Sequence, residues 1–80
     1  MNTEFIILDV RTKEEFEKSR NPQSINIPVD ELEINIKKIP NNKKIIVCCA
    51  TGRRSARAED ILKNNNINNV ENAGSWTNTL

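Results

Sequence analysis

The 80-residue chain has no histidine and no tyrosine, one tryptophan, two glycines and only two cysteines. Without an imidazole, a Ser-His-Asp triad, a Cys-His nucleophile pair and His-ligated zinc are all excluded. The cysteines, Cys48 and Cys49, are adjacent, which is not the spacing of a zinc knuckle or a Cys-x-x-Cys redox motif. A disulfide between neighbours would be strained. Charge of one sign is not in excess, with twelve Lys and Arg against eleven Asp and Glu, so the basic surface that neutralises a nucleic-acid backbone is missing. No apolar run reaches the roughly 18 residues of a membrane span. The terminus Met1 to Glu4 lacks the basic start and apolar core of a secretory signal. The expectation is one cytoplasmic domain over residues 1–80, monomeric, with no nucleic-acid or membrane partner, no metal and no cofactor. Any thiol chemistry must activate one sulfur with cations and backbone amides alone.

Periodicity orders the rest. Phe5 to Val10 is a short apolar run suited to a strand buried on both faces of a parallel sheet. Thr12-Lys13-Glu14-Glu15 has the form of a capping box, which predicts a helix through Lys18 with Phe16 as its core anchor. Ser19 to Ser24 is a polar turn around Pro22, and Ile25 to Ile27 a short strand stopped by Pro28. Asp30 and Glu33 repeat the capping-box spacing. With Val29, Leu32, Ile36 and Ile39 on one stripe they predict a helix ended by Pro40. Ile45 to Cys48 reads as a second buried strand, and Ser55 to Lys63 as a helix with Ala58, Ile61 and Leu62 inward. Asn64-Asn65-Asn66 would end that helix in a left-handed cap, and Val70 could be a last strand. Strands alternating with helices point to an α/β domain with a small, mostly parallel sheet of four to five strands flanked by helices.

One loop could carry chemistry. Cys49-Ala50-Thr51-Gly52-Arg53-Arg54-Ser55 runs from the end of a strand into a helix, where open α/β folds place their ligands. Successive amides from Ala50 to Ser55 can curl into an anion-binding nest, Gly52 permits the curvature, and the helix start adds about half a positive charge. With Arg53 and Arg54 beside it, the Cys49 sulfur would sit in a positive, partly exposed bowl that favours the thiolate. Arginine at a helix start opposes the dipole, so an anion is expected to repay it.

Cys49 to Ser55 resembles the active-site loop of the single-domain rhodanese sulfurtransferases, Cys-x-x-Gly-x-Arg-Ser. Leu8-Asp9-Val10-Arg11 with Glu14-Glu15-Phe16 is similar to that family's early Asp-Val-Arg motif, Asn26-Ile27-Pro28 to its second signature, and Val70 to Gly74 to its closing segment before a tryptophan, here Trp76. At Ser19 to Ser24 only Pro22 is kept from the family's usual Gly-His-Ile-Pro-Gly-Ala. The resemblance implies a rhodanese-like fold and a sulfurtransferase in which Cys49 carries a sulfane sulfur as a persulfide. It implies a small anionic donor such as thiosulfate, held by the loop from Ala50 to Ser55, and an acceptor such as cyanide, a thiol or a thioredoxin-like protein.

Two other readings stay open. Counted from Cys48, Arg54 completes the Cys-x5-Arg spacing of cell-division-cycle phosphatases and the related arsenate reductases. A rhodanese-like binding module without turnover is the other. Cys48 should point away from Cys49, by strand alternation, into the core. Asp9, and Arg11 four residues before Glu15, read as scaffold electrostatics. Trp76 could cap the site or close the core.

Overall fold

In the computed structural model, which describes residues 4–80, the first apolar run forms strand β1 (Phe5–Asp9). Part of the terminus read above for a signal, Met1 to Thr3, lies outside the described residues. Helix α1 (Lys13–Lys18) begins at the expected capping box: the Glu15 amide donates to Thr12 Oγ1, and the Glu15 carboxylate accepts from the Thr12 amide. Such a cap satisfies donors that the first helical turn leaves orphaned. After it come β2 (Ile25–Asn26), α2 (Val29–Leu32), β3 (Lys44–Cys49), α3 (Arg53–Asn64) and β4 (Val70–Ser75).

All four strands are parallel, in the order β2-β1-β3-β4. The chain steps from β1 one way to β2 and the other way to β3 and β4. Crossovers of one hand therefore put α1 on one face and α2 and α3 on the other. Strand order reverses between β1 and β3, so the crevice at their carboxyl ends is where such a sheet binds ligands.

Leu8, Val10, Ile45, Val47 and Cys49 meet Val29, Leu32, Ile39, Ala58, Leu62 and Ile67 in one core. Fully buried Leu8, Leu32, Ile45 and Leu62 each contribute roughly 1.5–3 kcal/mol of transfer free energy. Helix α3 closes with the Ile67 amide on the Leu62 carbonyl and the Asn66 amide on Lys63. Asn66 adopts φ 66°, the left-handed cap expected in the asparagine cluster.

Four expectations need correction. Helix α1 buries no residue; Phe16 is half-buried and lies under the Arg20 guanidinium, 5.1 Å from ring centroid to Cζ. The helix expected across Val29 to Ile39 is one α-turn, capped by Pro28 rather than Asp30, followed by a 3-10 turn at Ile36–Lys38. The helix stops where Asn35 Nδ2 donates to the Glu31 carbonyl (2.8 Å), a side-chain bond that competes with helix continuation, yet Val29, Leu32 and Ile39 still point into the core with Ile36 packed against it. Helix α3 starts two residues earlier than Ser55, with Gly52 as its cap. Strand β4 extends through Ser75, its polar residues Glu71 and Asn72 hiding it from the hydrophobic pattern.

The turn that departs from the family pattern is tied to the 3-10 turn at Trp76–Thr79. Asn21 Nδ2 donates to the Thr79 carbonyl (2.9 Å), and Asn21 Oδ1 accepts the Gln23 amide (2.9 Å).

Candidate active site

Strand alternation separates the two cysteines. Asp9 pairs with Cys48 and Leu8 with Val47 across β1 and β3. Cys48 therefore shares a face with Ile7, Asp9 and Ile46, and Cys49 shares the other with Ile45 and Val47.

Only Ala50, Thr51 and Gly52 join β3 to α3. So tight a link needs a left-handed residue, and Gly52 supplies it at φ 99°. The link folds over the sulfur: Cys49 Sγ accepts from the Gly52 amide at 3.0 Å and from the Ser55 amide at 3.4 Å, with Ser55 Oγ at 3.5 Å. Gly52 has no side chain to cap α3, and Ser55 is the third residue of that helix. The sulfur therefore takes the place of a capping oxygen. Burial alone would push the Cys49 thiol up, yet the Ser55 hydroxyl and the amides of Ser55, Gly52 and Thr51 outweigh it, leaving the thiol below its ordinary value.

The side chain is not in an open bowl. Cys49 is 0% exposed, because β3 continues through it and α3 begins at Arg53, bringing the link down on top. Ala50, Thr51 and Arg53 are exposed at the rim.

Arg54 turns to the side. Its guanidinium forks onto the Glu15 carboxylate, at 2.7 and 3.1 Å. Glu15 is held down to about 2 by Arg54 first and by the Thr12 amide and hydroxyl besides. One carboxylate thus caps α1 and tethers the loop helix. Arg11 does not pair with Glu15 as the spacing suggested. Its guanidinium grips the buried Asp9 carboxylate (Nε–Oδ1 2.9 Å, Nη2–Oδ2 2.7 Å), donates to the Ser19 carbonyl (2.8 Å) and lies 4.8 Å from the Trp76 ring centroid. Trp76 is a lid on this ion pair.

Cys48 faces that network. Burial, with the Asp9 charge adding to it, pushes its thiol up to about 12. A register with Cys48 as nucleophile would need a thiolate on the face away from the amide nest.

Residues 1–78 match the model of the rhodanese-like domain. The chain belongs to that family. It is 36% identical over 69 residues to the thiosulfate sulfurtransferase PspE of Escherichia coli, covering 84% of this chain and 66% of that protein. It spans 40% of the YrkF protein of Bacillus subtilis, at 37% identity. The chain thus covers less than two thirds of these relatives' own length. Among solved structures, a rhodanese with anions from E. coli superposes with a TM-score of 0.84 at 32% identity, over 92% of this chain and 89% of that one. A rhodanese-related protein from Thermoplasma volcanium gives 0.83 at 33%, over 95% and 75%. The four-stranded parallel sheet flanked by helices is the fold of these neighbours. Among the described residues, no helix is long and apolar enough to cross a membrane.

The structure brings Cys49, Gly52 and Ser55, three residues of the predicted loop, together in space. Sequence reasoning missed Asn72, whose Oδ1 accepts from Ser55 Oγ at 2.7 Å and from the Gly74 amide at 2.8 Å. Its segment had signalled only a closing strand, though an asparagine two residues before one of only two glycines is a turn-forming pattern.

Proposed function

We propose that this rhodanese-like domain is a sulfurtransferase using Cys49 as nucleophile and persulfide carrier, with an anionic sulfane donor such as thiosulfate. The observation that carries the reading is the Cys49 sulfur held by the Gly52 and Ser55 amides at the start of the 12-residue helix α3. The E. coli relative PspE is a thiosulfate sulfurtransferase, which supports thiosulfate as the donor.

The chemistry suits a site with no imidazole. A Cys49 thiolate lone pair forms a bond to the outer sulfur of thiosulfate. The S–S bond of the donor breaks, and its electron pair leaves with sulfite. Sulfite is a stable anion at neutral pH, so no general acid is required. Cys49 then carries a terminal sulfur bearing the negative charge, which the nest of amides and the helix dipole stabilise. A thiophilic acceptor attacks that sulfur, the Cys49 S–S bond breaks, and the thiolate is regenerated. Cyanide gives thiocyanate, and a thiol or thioredoxin-like protein would leave with the persulfide. Arg53, exposed at the rim, supplies charge that draws in the dianion, whereas Arg54 acts through the loop it anchors to Glu15.

The test is thiocyanate formation from thiosulfate and cyanide by the protein and its Cys49→Ser variant. Turnover lost in Cys49→Ser supports the reading. No turnover in the unaltered protein, with orthovanadate-sensitive release of phosphate from an aryl ester, would replace it by phosphatase chemistry. Neither activity would leave a binding module.

A further inference from the structure

The Ser55 hydroxyl has one hydrogen and three acceptors around it. Asn72 Oδ1 lies at 2.7 Å, the Gly52 carbonyl at 3.1 Å and Cys49 Sγ at 3.5 Å. A hydroxyl can also accept, so the resting thiol forms a chain: Cys49 S–H donates to Ser55 Oγ, and Ser55 donates to Asn72 Oδ1. On ionisation the sulfur becomes an acceptor only, and a donor facing it is worth most. Ser55 can then serve the sulfur only by giving up Asn72.

The backbone builds Asn72 into this position. Val47 pairs with Asn72 but Cys48 pairs with Gly74, so β4 carries a bulge that leaves Ala73 without a partner. Asn72 consequently faces the same side as Val47 and Cys49, and its Oδ1 takes the Gly74 amide across the bulge. Gly74, at φ 79°, permits that turn, and its Cα lies 3.5 Å from where a Cβ on Gly52 would stand. The bulge and the nucleophile link are thus in contact, and bulges commonly re-aim a side chain beside a site.

We infer that Asn72 is a positioning residue that competes with the Cys49 sulfur for the Ser55 hydroxyl hydrogen, so that Ser55 turns from Asn72 to the sulfur when the thiolate forms. Asn72 touches neither donor nor acceptor in this role. It sets how much of the Ser55 hydrogen bond is available to the nucleophile. The inference rests on reading Cys49 as the reacting thiol, and its test needs no sulfur transfer, so the two can fail separately.

The experiment is the pH profile of Cys49 alkylation by iodoacetamide, with the labelled site assigned by mass, in the unaltered protein and in Asn72→Ala and Asn72→Asp. Of the charged groups around the sulfur, Arg54 is raised by its fork with Glu15 and stays cationic over the range read. Glu15, in its fork with Arg54, is held to about 2, and Cys48 is pushed up to about 12. Removing the competitor in Asn72→Ala should lower the midpoint by about half a unit to one unit, which at one unit is a roughly tenfold change in the ionisation constant. Asn72→Asp keeps an acceptor of the same shape and makes it anionic, so it should raise the midpoint. In a Ser55→Ala background, Asn72→Ala should shift the midpoint hardly at all. Should Asn72→Ala not fold, Asn72→Asp with and without Ser55 decides the matter: its upward shift must shrink when Ser55 is absent. An unchanged midpoint, shifts in the same direction for Ala and Asp, or a shift that survives intact without Ser55 would overturn the inference.

Discussion

Cys48 and Cys49 are neighbours in sequence and opposites in environment. Both side chains are buried, so burial opposes ionisation of each. Cys48 meets nothing that stabilises its anion better than burial and Asp9 destabilise it, and its thiol is pushed up to about 12. Cys49 meets the amides of Ser55, Gly52 and Thr51 and the Ser55 hydroxyl at a helix start, and its thiol falls below the ordinary value. Burial therefore does not decide which thiol ionises more readily. What decides it is which face of β3 a residue occupies: one carries an ion pair already complete between Asp9 and Arg11, the other a set of amide donors that the helix start turns onto the sulfur.

The largest effect that could break this contrast is on chemistry. Cys49→Ser should abolish sulfur transfer, read as thiocyanate formation, while Cys48→Ser should keep it and lose about 1–3 kcal/mol of stability for a hydroxyl set in a buried site. The reverse pattern would exchange the roles of the two faces. Next in size is the scaffold face. Arg11→Leu strands the Asp9 carboxylate at 0% exposure and should cost about 3–5 kcal/mol in urea unfolding, with the Trp76 emission changed because the ring loses its cation.

A smaller change sharpens the nucleophile face. Gly52→Ala forces a Cβ onto φ 99°, but that Cβ would meet Gly74 Cα at an ordinary 3.5 Å. The cost is backbone strain of about 1–2 kcal/mol, and the alkylation midpoint of Cys49 should rise as the Gly52 amide moves. Smallest is the tether. The Glu15 carboxyl is depressed from 4.5 to about 2 in the folded protein, so its contribution is present above the unfolded value and is lost as pH falls toward 2. Glu15→Gln should therefore narrow the stability gap to the unaltered protein as pH drops from about 4.5 to about 2. A gap that is constant with pH in thermal melts would show that the carboxylate charge is not what holds Arg54.

Much of this was legible in the sequence, for reasons that differ by element. The β1 and β3 runs and the Thr12–Glu15 cap are local patterns, and they formed within a residue or two of their expected bounds. The loop was legible because strand, Cys49, Gly52, Ser55 and helix follow one another directly. The partners of the arginines were not. Arg54 meets Glu15 from 39 residues away, and only the sheet order brings those helix starts to one end. Helix α2 was over-extended because an apolar stripe at spacings of three and four is met equally by an α-turn and a 3-10 turn in series. Asn72 carried only a turn-forming pattern, because a bulge, which no periodicity records, is what turns it inward.

The most direct measurement is the intact mass of the reduced protein and of both cysteine variants after incubation with thiosulfate, followed by cyanide. The account predicts the gain of one sulfur atom in the unaltered protein and in Cys48→Ser, absent in Cys49→Ser and removed by cyanide. No gain in the unaltered protein, or a gain that persists in Cys49→Ser, would contradict it.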